Sequence, residues 1–173
     1  MRIRKLEEDD NLESFSCGVP EYDNFLRRYA YANQDSFYVG VTYVADDDGE
    51  IVGYFTIAGG HLRFDELPAD LWADRPRYPA PIMRLARLAV DTRHCGQGIG
   101  KALVGYALRL ALRQRDLLGC IGVLVDALPE RASFYEGLEF MNVDLLLGRT
   151  REPAHTVTMF LPIEEIALNE SLL

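Results

Sequence analysis

Gly96, Gly98 and Gly100 alternate with other residues in the run Arg93-His94-Cys95-Gly96-Gln97-Gly98-Ile99-Gly100-Lys101. Without a Cβ, glycine lets the backbone turn tightly and approach a ligand closely. A helix opening just after such a loop presents N–H groups that lack internal partners and carry the positive end of its dipole. The two features together make a cradle for a phosphate or pyrophosphate. Arg93 and Lys101 add positive charge at either side. A P-loop requires G-x-x-x-x-G-K-[ST], but Ala102 follows Gly100-Lys101 and Cys95 stands where the first glycine belongs. A dinucleotide fingerprint requires a third glycine at the position of Lys101. What remains is R-x-x-G-x-G. No His–Asp pairing is assignable to Cys95 from spacing, so covalent catalysis by its thiol is not expected. His61, His94 and His155 are too widely spaced for a local metal motif, and no metal site is expected.

The elements that must position this loop can be read around it. Residues 83–90 read as a central strand and residues 98–115 as an amphipathic helix, with Ile99, Ala102, Leu103, Tyr106 and Leu110 on one face. Residues 1–6 alternate as a short strand. Pro20 opens a helix running to about Asn33, with Tyr22, Phe25, Leu26, Tyr29 and Ala30 at helical spacing. Residues 37–45 and 51–58 are rich in β-branched and aromatic residues, and Asp46-Asp47-Asp48-Gly49-Glu50 between them is a hairpin signal. That acidic run lacks the later ligands of a calcium loop. Residues 59–81, with four prolines and Trp72, read as a long loop. Residues 121–127 read as a buried strand, 129–138 as a short helix, and 145–147 with 156–161 as a closing hairpin. Strands occur both in hairpins and around a helix, which predicts a mixed α/β (α+β) sheet rather than a doubly wound parallel one.

The bulk properties set the frame. At 173 residues, 49% hydrophobic and 26% charged, the chain is expected to form one globular domain over residues 1–173. Such a chain buries roughly 70% of its unfolded surface and needs no disulfide or metal staple. Cys17, Cys95 and Cys120 are odd in number and sparse, which points to a reducing cytoplasm. The first ten residues have no apolar core of the kind a signal peptide needs, and no apolar run approaches the roughly 20 residues of a membrane helix. The net charge of −9 argues against anionic partners, but its distribution is uneven. Residues 1–74 carry 6 basic and 16 acidic side chains, residues 75–115 carry 9 and 1, and residues 116–173 carry 3 and 10. A basic middle between acidic ends either meets an anion or pairs with its own flanks.

Arg93-His94-Cys95-Gly96-Gln97-Gly98 resembles motif A of the GNAT acetyltransferases, the Q/R-x-x-G-x-G/A loop that binds the pyrophosphate of acetyl-CoA. The strand RLAV precedes it, a helix follows, and a second strand GVLVDA comes about 20 residues after that. Ser133-Phe134-Tyr135-Glu136-Gly137-Leu138-Glu139-Phe140 looks like the family's FYE-x-x-GF segment, with the glycine displaced and Glu139 before Phe140. The resemblance covers nearly the whole chain. It implies the GNAT fold, a mixed, mostly antiparallel twisted sheet with a splayed central strand pair and flanking helices. It also implies acetyl-CoA, held by the backbone of Leu88, Ala89 and Val90 and by Arg93, His94, Cys95, Gly96, Gln97, Gly98, Ile99, Gly100 and Lys101, with Ser133 against the pantetheine and Tyr135 also against the coenzyme. SFSCGVPEYDNFLRRYA and YVADDDGEIVGYFTIAGG resemble the GNAT toxins of bacterial toxin–antitoxin modules. That subgroup acetylates the α-amino group of aminoacyl-tRNA, is silenced by a ribbon–helix–helix antitoxin, and implies a cytoplasmic homodimer with no membrane association.

The implied chemistry is direct acetyl transfer to an amine. An α-amino group titrates near pH 7.7–8.0, so a useful fraction is neutral without a strong general base. The departing thiolate needs a proton, which a phenol can supply. Tyr135 matches the family's catalytic tyrosine and is the expected general acid. The alternative for Tyr135 is a packing aromatic, and for Ser133 a helix cap. Backbone N–H near Val90 is placed by the resemblance to stabilise the developing oxyanion. Arg77, Arg84 and Arg87 are candidates for the tRNA acceptor end, against the alternative of ion pairs with Asp65, Glu66 or Asp74. Two other readings stay open: a GNAT enzyme for a protein N-terminus, a lysine or a small amine, and a non-catalytic CoA-binding module.

Overall fold

A computed structural model describes residues 1–63, 79–143 and 156–173. Among the described residues the strands are β1 (Arg2–Lys5), β2 (Val41–Asp47), β3 (Glu50–Leu62), β4 (Ala80–Val90), β5 (Gly122–Ala127), β6 (Met141–Asn142) and β7 (Val157–Pro162). Among the described residues the helices are α1 (Pro20–Arg28), α2 (Ala30–Asp35), α3 (Ile99–Leu118), α4 (Ala132–Glu136) and α5 (Ile163–Leu168). The seven strands form one sheet in the order β1-β2-β3-β4-β5-β7-β6. β1–β2, β2–β3, β5–β7 and β6–β7 pair antiparallel, whereas β4 and β5 run parallel, so the sheet is mixed as expected. The β4–β5 ladder registers Met83 with Val123 and Arg84 with Leu124, and ends before Leu88.

The chain divides into two compact units. The first comprises Met1–Ala58 and Leu85–Ala107. Its core gathers Leu6, Phe15, Phe25, Leu26, Val44, Ile51, Tyr54 and Ala89. The Phe15 ring meets Tyr54 edge-on at 5.6 Å, and Phe25 stacks on Tyr54 at 6.4 Å, the geometries that aromatic quadrupoles favour. The buried Tyr54 hydroxyl donates to the Tyr22 carbonyl at 3.0 Å, so its burial leaves no orphan polar group. The hairpin between β2 and β3 turns on Asp48 and Gly49, both at positive φ (51° and 91°), as a two-residue hairpin turn requires. Asp46, read as part of the acidic run, caps that turn by accepting from Gly49 N and takes a second bond from Arg4.

The second unit comprises Gly59–Arg84 and Leu108–Leu173, with Leu62, Ile82, Leu124, Val143 and Phe160 at its core. Gly122 at the start of β5 is obligatory, because a Cβ there would run into the Leu161 carbonyl and the Phe160 ring. Ile166 and Leu172 of the apolar tail are buried in this unit, while Leu168 is exposed.

The structure corrects several boundaries. The expected helix from Pro20 to Asn33 is two helices, broken at Tyr29, whose φ of −119° leaves the helical range. Residues 59–62 and 80–81 extend β3 and β4 into the expected loop; Pro81 lacks an N–H, but its carbonyl still accepts from Ile121 N at 2.9 Å. Residues 129–138 form a 3₁₀ turn (Pro129–Arg131) followed by the five-residue α4. β7 pairs with β5 and with Met141–Asn142, and residues 145–147 lie outside the described residues.

Candidate active site

The glycine-rich loop runs from the end of β4 to the start of α3, in the first unit. A 3₁₀ turn over Thr92–His94 begins it. Gly96 and Gly98 then adopt φ of 79° and 81°, the left-handed region that favours glycine. A Cβ added at either would meet nothing within 4 Å. Glycine is therefore required here by backbone conformation, not by crowding from the protein, and the space beside the backbone is left open. Residues 95–98 are exposed, Ile99 is buried, and the Ala102 N–H to Gly98 carbonyl bond of 3.0 Å starts the helix. The N–H groups before Ala102 belong to the first turn, where a helix has no internal acceptors to offer. Lys101 is exposed on the first turn of the helix.

Asp91 anchors this loop, a role for which sequence reasoning had no place. Its side chain is fully buried. It accepts from Arg93 N and Arg93 Nε at Oδ1, both 2.9 Å, and at Oδ2 from Arg93 NH2 at 2.9 Å and Ser16 N at 3.0 Å. The Thr92 N–H returns a 2.9 Å bond to the Ser16 carbonyl. The Arg93 side-chain bonds hold the Asp91 carboxyl at about 2, overcoming the burial that opposes ionisation. The local signal was present: an Asp two residues before a turn N–H is a common side-chain turn anchor. Its long-range partner Ser16 was invisible in the sequence.

That network changes what the Arg93 side chain does. Its guanidinium faces Asp91, Glu50 (2.8 Å) and the Ser14 carbonyl (3.2 Å), so its charge is compensated within the protein. Cys95 Sγ lies 3.6 Å from the Asp91 carbonyl, and the Cys95 thiol is exposed.

The arginines before the loop separate into different roles. Arg77 lies outside the described residues, as do Asp65, Glu66 and Asp74. Arg84 pairs at 2.5 Å with Asp126, which also accepts from Thr158 at 3.2 Å. Arg87 has no carboxylate partner among the described residues. Its guanidinium carbon lies 3.8 Å above the Phe25 ring, and its Nε is buried without a hydrogen-bond partner. A cation over an aromatic face gains roughly 0.5–2 kcal/mol. An unsatisfied buried donor costs roughly 1–3 kcal/mol. The ring contact thus offsets part of the cost of the unpaired Nε, and Arg87 keeps a charge with no carboxylate partner among the described residues on the same strand as Leu88, Ala89 and Val90.

Ser133 and Tyr135 stand on α4 in the second unit. Tyr135 is buried, and its ring meets Phe134 at 5.1 Å and Phe140 at 5.5 Å, both edge-on. Ser133 is exposed and does not cap α4, whose N-cap residue is Arg131. Among the described residues no three His, Cys, Asp or Glu side chains gather as a metal site, and no helix is long and apolar enough to cross a membrane.

Residues 39–142, which include the loop, match the Acetyltransferase (GNAT) domain. The chain belongs to the GNAT acetyltransferase family. This GNAT enzyme is an N-acetyltransferase that uses acetyl-CoA. It is 33% identical over 138 residues to the tRNA-acetylating toxin of Mycobacterium tuberculosis, covering 79% of this chain and 82% of the relative. Its fold is similar to that of AtaT complexed with acetyl-methionyl-tRNAfMet, with a TM-score of 0.82 and 26% identity, over 96% and 97% of the two chains. It is also similar to an AtaT toxin carrying a tyrosine-to-phenylalanine substitution and bound to the C-terminus of the antitoxin AtaR, with a TM-score of 0.75 and 25% identity over 96% of each chain.

Proposed function

We propose that this GNAT enzyme is a toxin that acetylates the α-amino group of an aminoacyl-tRNA, blocks translation, and is silenced by an antitoxin. The observation that carries the coenzyme part of the reading is the loop geometry. Two left-handed glycines with open space at each Cβ lead directly into the first turn of α3, a backbone arrangement suited to a diphosphate. The relatives named above support the acceptor and the antitoxin.

Acetyl-CoA supplies the activated acetyl thioester. In this reading the N–H groups of residues 96–101 and the strand backbone of Leu88, Ala89 and Val90 bind it, and Ser133 orients the pantetheine. Because these contacts are made by main chain, the Gln97 and His94 side chains contribute little. As the C–N bond forms and the C–S bond breaks, Tyr135 gives its phenolic proton to the leaving thiolate, and the proton shed by the acylated amine restores the phenol. Its ring is held by Phe134 and Phe140, which fixes the direction of the hydroxyl. The acceptor amine titrates near pH 7.7–8.0 and enters neutral without a dedicated base. Arg87, whose charge has no carboxylate partner among the described residues, attracts the phosphates of the acceptor end, whereas Arg84 spends its charge on Asp126.

We extend the reading to a ribbon–helix–helix antitoxin, a cytoplasmic location and a homodimer, the last supported by the exposed Leu117, Leu118 and Leu168. The test is incubation with labelled acetyl-CoA and either total aminoacyl-tRNA or protein extract, with mass identification of the product. Label on the amino acid of charged tRNA is the expected result. Label on protein or small amines alone overturns the acceptor and leaves the acetyltransferase.

A further inference from the structure

The coenzyme loop has little packing of its own. Four successive residues, 95–98, are exposed, and its glycines bring no side chains to anchor it. What fixes it is a polar lattice at its first turn. Asp91 N donates to the Val52 carbonyl at 3.0 Å, tying the start of the loop to β3. The Asp91 carboxylate takes four bonds, three from Arg93 and one from Ser16, and its own carbonyl accepts from His94 N at 2.9 Å. Ser16 is clamped in turn: its hydroxyl and the Cys17 N–H reach the buried Asp23 of α1 at 3.0 and 2.8 Å. Arg27 of α1 holds the Leu12 and Phe15 carbonyls of the same segment. A buried carboxylate bonded only to N–H groups of the two segments it joins is a rigid joint, because moving the loop would strand a charge away from water.

We propose that Asp91, locked by Arg93 and Ser16, is the positioning residue that holds the glycine loop in its coenzyme-binding conformation. It acts without touching the coenzyme. Arg93 thereby serves the site through Asp91 and not as a phosphate ligand. The inference rests on the reading that the loop binds acetyl-CoA.

The experiment is calorimetric titration of acetyl-CoA into the whole protein, with steady-state kinetics on the acceptor. Asp91→Asn keeps the shape but turns one acceptor into a donor facing N–H groups. It is expected to raise Kd and KM for acetyl-CoA roughly tenfold to a hundredfold, while kcat at saturating coenzyme stays within about threefold. Arg93 is half-exposed, so Arg93→Gln tests the joint in a protein that folds even if Asp91→Asn does not. It is expected to weaken coenzyme binding in the same direction, with Arg93→Lys between Gln and the parent. Lysine matching arginine while glutamine fails would show that Arg93 acts by charge on the ligand, and would overturn the proposal. Unchanged affinity in Arg93→Gln would do so as well. Gly98→Val separates the two levels: if it leaves acetyl-CoA binding intact, the loop is not the coenzyme site and the parent reading fails; if it abolishes binding while the Arg93 series is flat, only the positioning role fails.

Discussion

Tyr135 is where packing and chemistry can be told apart, because its ring and its hydroxyl do different things. The ring sits between Phe134 and Phe140 and is buried, so Tyr135→Phe keeps the core contacts. If the hydroxyl delivers the proton, that substitution lowers kcat by roughly a hundredfold to ten-thousandfold, with acetyl-CoA affinity near the parent value. Activity within twofold of the parent would return Tyr135 to a packing role. Asp91 makes a second prediction at this scale. Its folded carboxyl titrates at about 2, below the ordinary value of 3.8 in the unfolded chain. The stability it lends is complete above about pH 4 and is lost as pH falls toward 2, an amount on the order of 2 kcal/mol. Acid unfolding followed by circular dichroism is expected to begin at higher pH in Asp91→Asn than in the parent, because the variant starts without that contribution.

Between β3 and α3 a single glycine governs how the helix start is placed. A Cβ on Gly53 would come within 3.0 Å of Leu103, 3.1 Å of Ile99 and 3.2 Å of the Ala89 carbonyl. All three neighbours flank the glycine loop, on β4 or on the first turns of α3. Gly53→Val is expected to destabilise the fold by about 1–3 kcal/mol through overpacking, and to weaken acetyl-CoA binding by displacing Ile99. Gly49→Val in the hairpin turn is the control: it is strained at φ 91° but has open space around it. It should lower melting temperature while leaving coenzyme affinity alone. Equal coenzyme affinities in the two variants at matched folding would break the link between Gly53 and the loop. The elements themselves were legible where periodicity was strong, as in α3 and the β2–β3 hairpin. The break at Tyr29 was not, because apolar spacing continues through it and only the backbone angle changes.

For the molecule as a whole, the difficulty is a net charge of −9 on a protein proposed to bind tRNA. Such binding must run through a confined basic patch, with the remaining surface opposing it. Raising salt from 50 to 200 mM is therefore expected to lower kcat/KM for aminoacyl-tRNA by roughly tenfold, with Arg87→Gln reducing that slope by about one phosphate's worth. A salt-independent rate would point to an acceptor without phosphates. The R-x-x-G-x-G loop, its strand and helix, and the family were determined by the sequence alone, because backbone conformation and local spacing dictate them. The fates of the charges were decided only in three dimensions. Arg84 meets Asp126 across 42 positions, Asp91 meets Ser16 across 75, and Arg87 finds an aromatic ring instead of a carboxylate. Spacing along a chain fixes which groups share a turn; which cation meets a carboxylate and which an aromatic ring depends on what the fold brings beside it.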